Sequence, residues 1–379
     1  LLLRVAYRAK KLETTYKERQ IKGAAMATPT PQQQFESEFS SLQSALKRLQ
    51  DAARLNNARS AVERLDSDIA SLPGQVAALR TQGYAFEKGL ELEAMQIQAD
   101  WRGVESITRS QIETQAAPIQ AELRVLEGQM SQLAAQRSNP ALARPALERL
   151  KTGVQTLTGK AEAAERTVSS AYQPISGKVS ALKFRLQKIE WMLKQLAEAK
   201  FTLRPTESGI MAVKAIWCQS VNKTKDDPEG ILYLTDQRLI FEQKQEIATK
   251  KVLFFTTAKE KVQAVKWEAP VTLATEVKPS KQGMLKNEDR LDIRFGPGAP
   301  LQTVHLHIWQ DGNEWVKLIN RAKTGEFDKT RAIEIDQAEV EKVKSAPSQC
   351  PSCGANITQV VLRGMDSIKC EYCGYVIRL

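Results

Sequence analysis

The chain has 379 residues, of which 6% are aromatic and 26% charged, and a formal net charge of +11. That length accommodates two or three domains, and the low aromatic content beside abundant Ala, Gln, Leu, Glu and Arg points to much helix outside one globular core. Of the +11, +5 falls in residues 1–34, which argues against one large basic surface on the folded part.

Residues 1–34 read as disordered, or as an upstream extension as far as residue 25, because Leu1 opens the chain and Met26 precedes Ala-Thr-Pro-Thr-Pro. The Leu1-Leu2-Leu3 run meets Arg4 too soon for a signal-peptide core. No window approaches the roughly 18 apolar residues of a membrane span. The expected location is cytoplasmic, peripheral to a membrane if a later domain docks there.

From 35 to 204 apolar residues recur at spacings of three and four, the helical period. Phe35, Phe39, Leu42, Leu46 and Leu49 lead to Val62, Leu65, Ile69 and Leu72, with a stop expected at Pro73-Gly74. A second segment from about Gln75 carries Ile112, Ala116, Ile119, Leu123, Leu126, Met130 and Leu133 up to a break at Asn139-Pro140. A third runs from Leu147 to Leu196, with a stutter near Pro174. Three such helices predict an up-down-up antiparallel coiled-coil arm that spaces, self-associates or binds a partner helix.

After Arg204-Pro205 the period drops to 2, and strands are expected over 210–219, 230–234, 238–243, 251–255, 262–268, 271–277, 291–295 and 303–309. An amphipathic helix then starts at Asp311, with Glu314 as capping-box partner, and contains Trp315. Such strands closed by one helix predict a barrel over 205–328. Gly230-Ile-Leu-Tyr-Leu-Thr-Asp-Gln-Arg-Leu-Ile-Phe241 together with Trp315 resembles the GRAM branch of the pleckstrin-homology-like (PH-like) superfamily, over about 205–325. Gly230, Thr235, Arg238, Phe241 and Trp315 are the signature positions. The resemblance implies docking on protein or on anionic lipid, the latter through basic residues after the first strand. Lys223 and Lys225 stand there, with Lys250 and Lys251 as further candidate anion contacts. Asp226, Asp227 and Glu229 nearly cancel that charge. Arg238 reads as a structural turn residue.

No nucleophile motif or phosphate loop is found, and non-enzymatic function is expected. His305 and His307 share a strand face and read as ordinary strand side chains. Cys218 reads as a small buried hydrophobe. Residues 329–349 predict a short helix and a flexible tether.

The strongest chemical signal lies at 350–379. Cys350-Pro-Ser-Cys353-Gly and Cys370-Glu-Tyr-Cys373-Gly are two CxxC knuckles separated by sixteen residues. Four thiolates at this spacing suit one tetrahedral zinc ion, and a closed shell of four sulfurs stabilises folding without catalysing. The arrangement resembles the zinc ribbons. Its near-neutral charge gives no nucleic-acid footprint, which leaves nucleic acid as the weakest partner class. The expected whole is a multidomain α+β adaptor: a helical coiled-coil bundle, a PH-like β-barrel capped by a C-terminal helix, and a small zinc ribbon.

Overall fold

A computed structural model describes residues 30–379 apart from 221–222, 253–254 and 283–287, with backbone alone at 247–259. The expectations for residues 1–29 lie outside it. The chain divides into two compact units, one comprising residues up to Arg64 with Gly103–Pro174, the other Leu65–Arg102 with Ile175–Leu379. The division does not fall at the change of sequence period near 205.

The described part of the first unit is helical. Helix α1 (Pro31–Ala53) starts ahead of residue 35 because Thr30 caps it: its hydroxyl accepts from Gln33 N at 3.2 Å while Gln33 Oε1 accepts from Thr30 N at 2.9 Å. Leu55, at φ 52°, separates α1 from α2 (Asn56–Thr81) within what reads in the sequence as one segment. Helices α3 (Leu90–Ala135) and α4 (Pro140–Ala197) follow. The expected seam residues are buried, among them Phe35, Phe39, Leu42, Ile119, Leu123, Leu150, Val154 and Leu157. A Cβ on Gly153 would stand 2.8 Å from Leu126 Cδ2, so α3 and α4 pack closely there. The antiparallel sense is visible in side-chain pairs whose partners run in opposite order: Glu36 with Arg137, Gln50 with Glu127 at 2.7 Å, and Arg59 with Glu113 at 2.6 Å. Exposed pairs of this kind contribute about 0–1 kcal/mol each, so burial of the seam dominates.

In the second unit Pro73-Gly74 does not stop α2, which continues to Thr81. Proline lacks the amide that would bond to the Ile69 carbonyl. Gln98 Nε2, from α3, reaches that carbonyl at 3.4 Å. The second long helix therefore begins at Leu90, not near Gln75, after a turn in which Gly83 (φ 93°) and Glu87 (φ 55°) take positive φ.

Seven antiparallel strands follow: β1 (Gly209–Cys218), β2 (Glu229–Thr235), β3 (Arg238–Val252), β4 (Phe255–Pro270), β5 (Ala274–Gln282), β6 (Glu288–Phe295) and β7 (Thr303–Ile308). Segments expected separately at 251–255 and 262–268 lie in one long β3–β4 hairpin, and 271–273 form a 3-10 turn. The order β4-β3-β2-β1-β7-β6-β5 leaves β4 and β5 as unpaired edges. The sheet is therefore open, not the closed barrel expected. Helix α5 (Gly312–Lys323) packs against β5 and the 3-10 turn. Asp311 caps it through Asn313 N at 2.8 Å, whereas Glu314 pairs with Lys188 at 3.0 Å instead of completing a capping box. The core joins Trp217, Phe241, Trp267 and Phe295, with Phe241 stacked on Trp267 at 6.1 Å.

Candidate metal centre

Helix α6 (Gln337–Ser345) leads to a two-stranded ribbon of β8 (Ser367–Lys369) and β9 (Val376–Arg378). Each knuckle turns in the same way. Gly354 N donates to Cys350 O at 2.8 Å, and Gly374 N donates to Cys370 O at 2.9 Å. These glycines have φ of +69° and +75°, a region that L side chains avoid. Cys350 N and Cys370 N close the turns by donating to Ala355 O and Tyr375 O. Ile368 and Ile377 form a small core with Cys350 and Cys370, against which Ile357, Val361, Met365 and Leu379 pack.

The four sulfurs lie within 4.8 Å of one another. Cys350 Sγ is 3.6 Å from Cys373 Sγ, and Cys353 Sγ is 3.7 Å from Cys370 Sγ. A tetrahedron with metal–sulfur bonds of about 2.3 Å has edges of roughly 3.8 Å, so the cluster fits a four-coordinate soft metal. Backbone amides of Cys373 and Tyr372 favour the Cys370 thiolate and bring that thiol down to about 7. A metal here would tie the knuckles together and leave no vacant position for a substrate.

The sequence predicts a free tether, but the ribbon is seated on the sheet. Asp236, in the β2–β3 turn, is buried and takes the guanidinium groups of Arg363, from the ribbon, and Arg331, the latter at 2.7 Å. Its other oxygen accepts from Ser208 N at 2.9 Å. Burial pushes the Asp236 carboxyl up to about 6 against the pull of that amide and both arginines. Desolvation thus outweighs the attraction on the charged carboxylate, as is common where ion pairs are buried. Glu339 of α6 accepts from Gly364 N at 2.9 Å, and Gln237 Nε2 donates to Arg363 O at 3.3 Å. In the sequence Arg363 is one charge within the near-neutral ribbon. The local signal for this anchor was the Arg363-Gly364 pair, since Gly364 has φ +76° and a Cβ there would meet Pro205 at 2.6 Å.

The other predicted positions have structural roles or stand exposed, and they are spread over the sheet. Thr235 Oγ1 accepts from Arg238 N at 2.7 Å and donates to Glu207 at 2.6 Å. Arg238 is buried between Glu207 and Glu268, each at 2.6 Å, and donates to Thr202 O. Gly230 leaves room for β3, because a Cβ would stand 1.9 Å from Glu242 O. Trp315 is fully buried and donates to Gln310 at 2.8 Å. Lys223 and Lys225 are exposed in the β1–β2 loop, and Lys223 faces Glu288 and Asp289. The side chains of Lys250 and Lys251 lie outside the described residues. No convergent anion site is assembled among the described residues of this set. No described helix is long and apolar enough to cross a membrane.

No protein-family model and no curated protein matches the chain. Among solved structures it aligns with the DH/PH domains of PDZ-RhoGEF, seen in complex with GTP-γ-S-activated RhoA, at 14% identity and a TM-score of 0.21, over 80% of this chain and 96% of that one. The DH/PH domains of p115-RhoGEF align at 12% identity and a TM-score of 0.23, over 79% of this chain and 95% of theirs. Superpositions this loose establish no shared fold.

Proposed function

We propose that the protein is a non-enzymatic adaptor. Its sheet serves as a PH/GRAM-like docking module, stiffened by a structural zinc ribbon and carried on a helical arm that spaces it or joins two copies. The observation that carries this reading is the pairing of a closed four-cysteine set with an anchor, Arg363 on Asp236, that ties the ribbon to the sheet. Such a site serves architecture. The seven-stranded order and its C-terminal helix support the PH-like assignment, and the hairpin from Gly230 to Phe241 carries the GRAM resemblance.

Two measurements on the full chain test the reading. Metal analysis should find one zinc per chain, lost in Cys350→Ser; a protein that keeps its zinc in that variant overturns the four-ligand assignment. Co-sedimentation with phosphatidylcholine vesicles, with and without anionic lipid, should leave the protein in the supernatant at low and high salt. Salt-sensitive sedimentation would replace protein docking by docking on an anionic membrane.

A further inference from the structure

The outward face of β6 and β7 holds a buried polar group that makes no hydrogen bond among the described residues. Alternation along the strands puts His305, His307 and Trp309 on one face, and the register sets Asp292 opposite His305 and Arg290 opposite His307. His305 is satisfied, with Nδ1 2.5 Å from Asp292 Oδ1 and 2.9 Å from Arg290. His307 is 5% exposed, and neither ring nitrogen has a hydrogen-bond partner among the described residues. Glu288 Oε2 comes within 3.3 Å of Nδ1, but not in hydrogen-bond geometry. Buried polar side chains are rarely left in this state.

His307 lines a cavity of about 420 Å³ with Lys223, Glu288, Trp309 and Asp311. Asp289 also borders it but is committed, accepting from Gly312 N at 3.0 Å and pairing with Lys281 at 2.6 Å. Asp311 uses Oδ1 to cap α5. Burial holds His307 below the ordinary imidazole range; Lys223 and Arg290 add to this, and Glu288 and Asp227 oppose it. The ring is therefore neutral near pH 7 and offers a lone pair. Trp309, 60% exposed, adds an aromatic surface of the kind that attracts cations. Two carboxylates, an imidazole lone pair and an indole make an acceptor set for a cation rich in N–H groups. The cavity is far larger than a single ion, and among the described residues it is the four cysteines whose ligand atoms converge as a metal requires.

We propose that this cavity binds an organic cation bearing N–H donors, an alkylammonium or guanidinium group, accepted by Glu288, Asp311 and His307 beside Trp309. Lys223 stands at the same cavity with the same charge as the ligand and opposes its entry. The proposal does not depend on the adaptor reading.

The chain has two histidines, so histidine-labelled full-length protein gives two imidazole signals, assigned with His305→Gln. The probes are n-butylammonium, spermidine, a capped lysine peptide and a capped arginine peptide, with tetramethylammonium as the cation lacking N–H. A saturable shift of the His307 signal, with His305 unmoved, is expected from at least one N–H donor. Glu288→Gln, a change at a half-exposed side chain, should weaken it about tenfold or more, and Lys223→Gln should tighten it. The His305 signal reports that each variant is folded. Tighter binding of spermidine assigns the cation to free polyamines, and tighter binding of a peptide to a basic side chain of a partner; either supports the site. A His307 signal that no probe moves, that tetramethylammonium moves equally, or that responds unchanged in Glu288→Gln overturns it.

Discussion

An ordinary imidazole takes up a proton near pH 6.5, and burial makes His307 resist it. The unfolded chain binds that proton more readily, so the stability linked to His307 is complete above pH 6.5 and declines as pH falls through it. The unfolding midpoint of His307→Gln should accordingly fall less than that of the parent between about pH 7.5 and 5.5. Equal declines would assign the effect to other groups. Gly364 offers a second test at this scale. Alanine there must hold φ near +76° and displace the Pro205 backbone, so Gly364→Ala should cost about 1–3 kcal/mol in denaturant unfolding. The same change at exposed, helical Gly159, with nothing within 4 Å of its Cβ, should be neutral or stabilising. Single residues were legible where their reason is local. The knuckle glycines and the N-cap at Asp311 follow from spacing alone. Gly230 was legible as a signature, but its cause, a carbonyl of the next strand, is not written nearby.

Among the elements, α2 shows why a local stop signal failed. Pro73-Gly74 ends an isolated helix, but Gln98 of another helix supplies a donor to the carbonyl that proline abandons. Restoring an amide with Pro73→Ala should stabilise the protein by about 1 kcal/mol or more, and Gln98→Ala should cost less in that background than in the parent. Additive effects would remove the link between the two residues. The ribbon anchor behaves differently. Arg363→Ala leaves Asp236 with Arg331 and the Ser208 amide, whereas Asp236→Ala takes the shared carboxylate from two guanidinium groups and leaves the partly exposed Asp328 as their common ion-pair partner. The second change should cost more, about 3–5 kcal/mol against 1–3 for the first. Strand existence was readable from alternation, but sheet closure was not. Closure depends on whether β4 meets β5, a pairing across the 3-10 turn at Val271–Leu273 that no alternation pattern encodes.

For the whole molecule, a metal in the ribbon has consequences beyond residues 350–379. Because Arg363 and Gly364 bind Asp236 and Glu339, chelation should lower the unfolding temperature of the sheet as well as remove the knuckles. Arg363→Ala should uncouple the two; a sheet signal that ignores chelator in the parent protein would contradict that linkage. The helices are equally involved in the sheet. Tyr233 donates to Gln195 O, Lys244 pairs with Glu198, and the amide of Lys88 donates to Thr330 O. A fragment cut at 205 therefore loses partners that the change of period in the sequence gave no reason to include.

That arrangement also imposes an order on synthesis. Residues 65–102 belong with 175–379, yet 103–174 are made in between. The first unit has all its residues once Pro174 leaves the ribosome, while the apolar faces around Leu72, Val76, Leu90 and Ile97 still await theirs. At bacterial or eukaryotic elongation rates that wait lasts seconds to tens of seconds. During it the nascent chain carries one unit whose residues are all made and another whose core is incomplete, and the exposed apolar surface of the second is what a holding chaperone would bind.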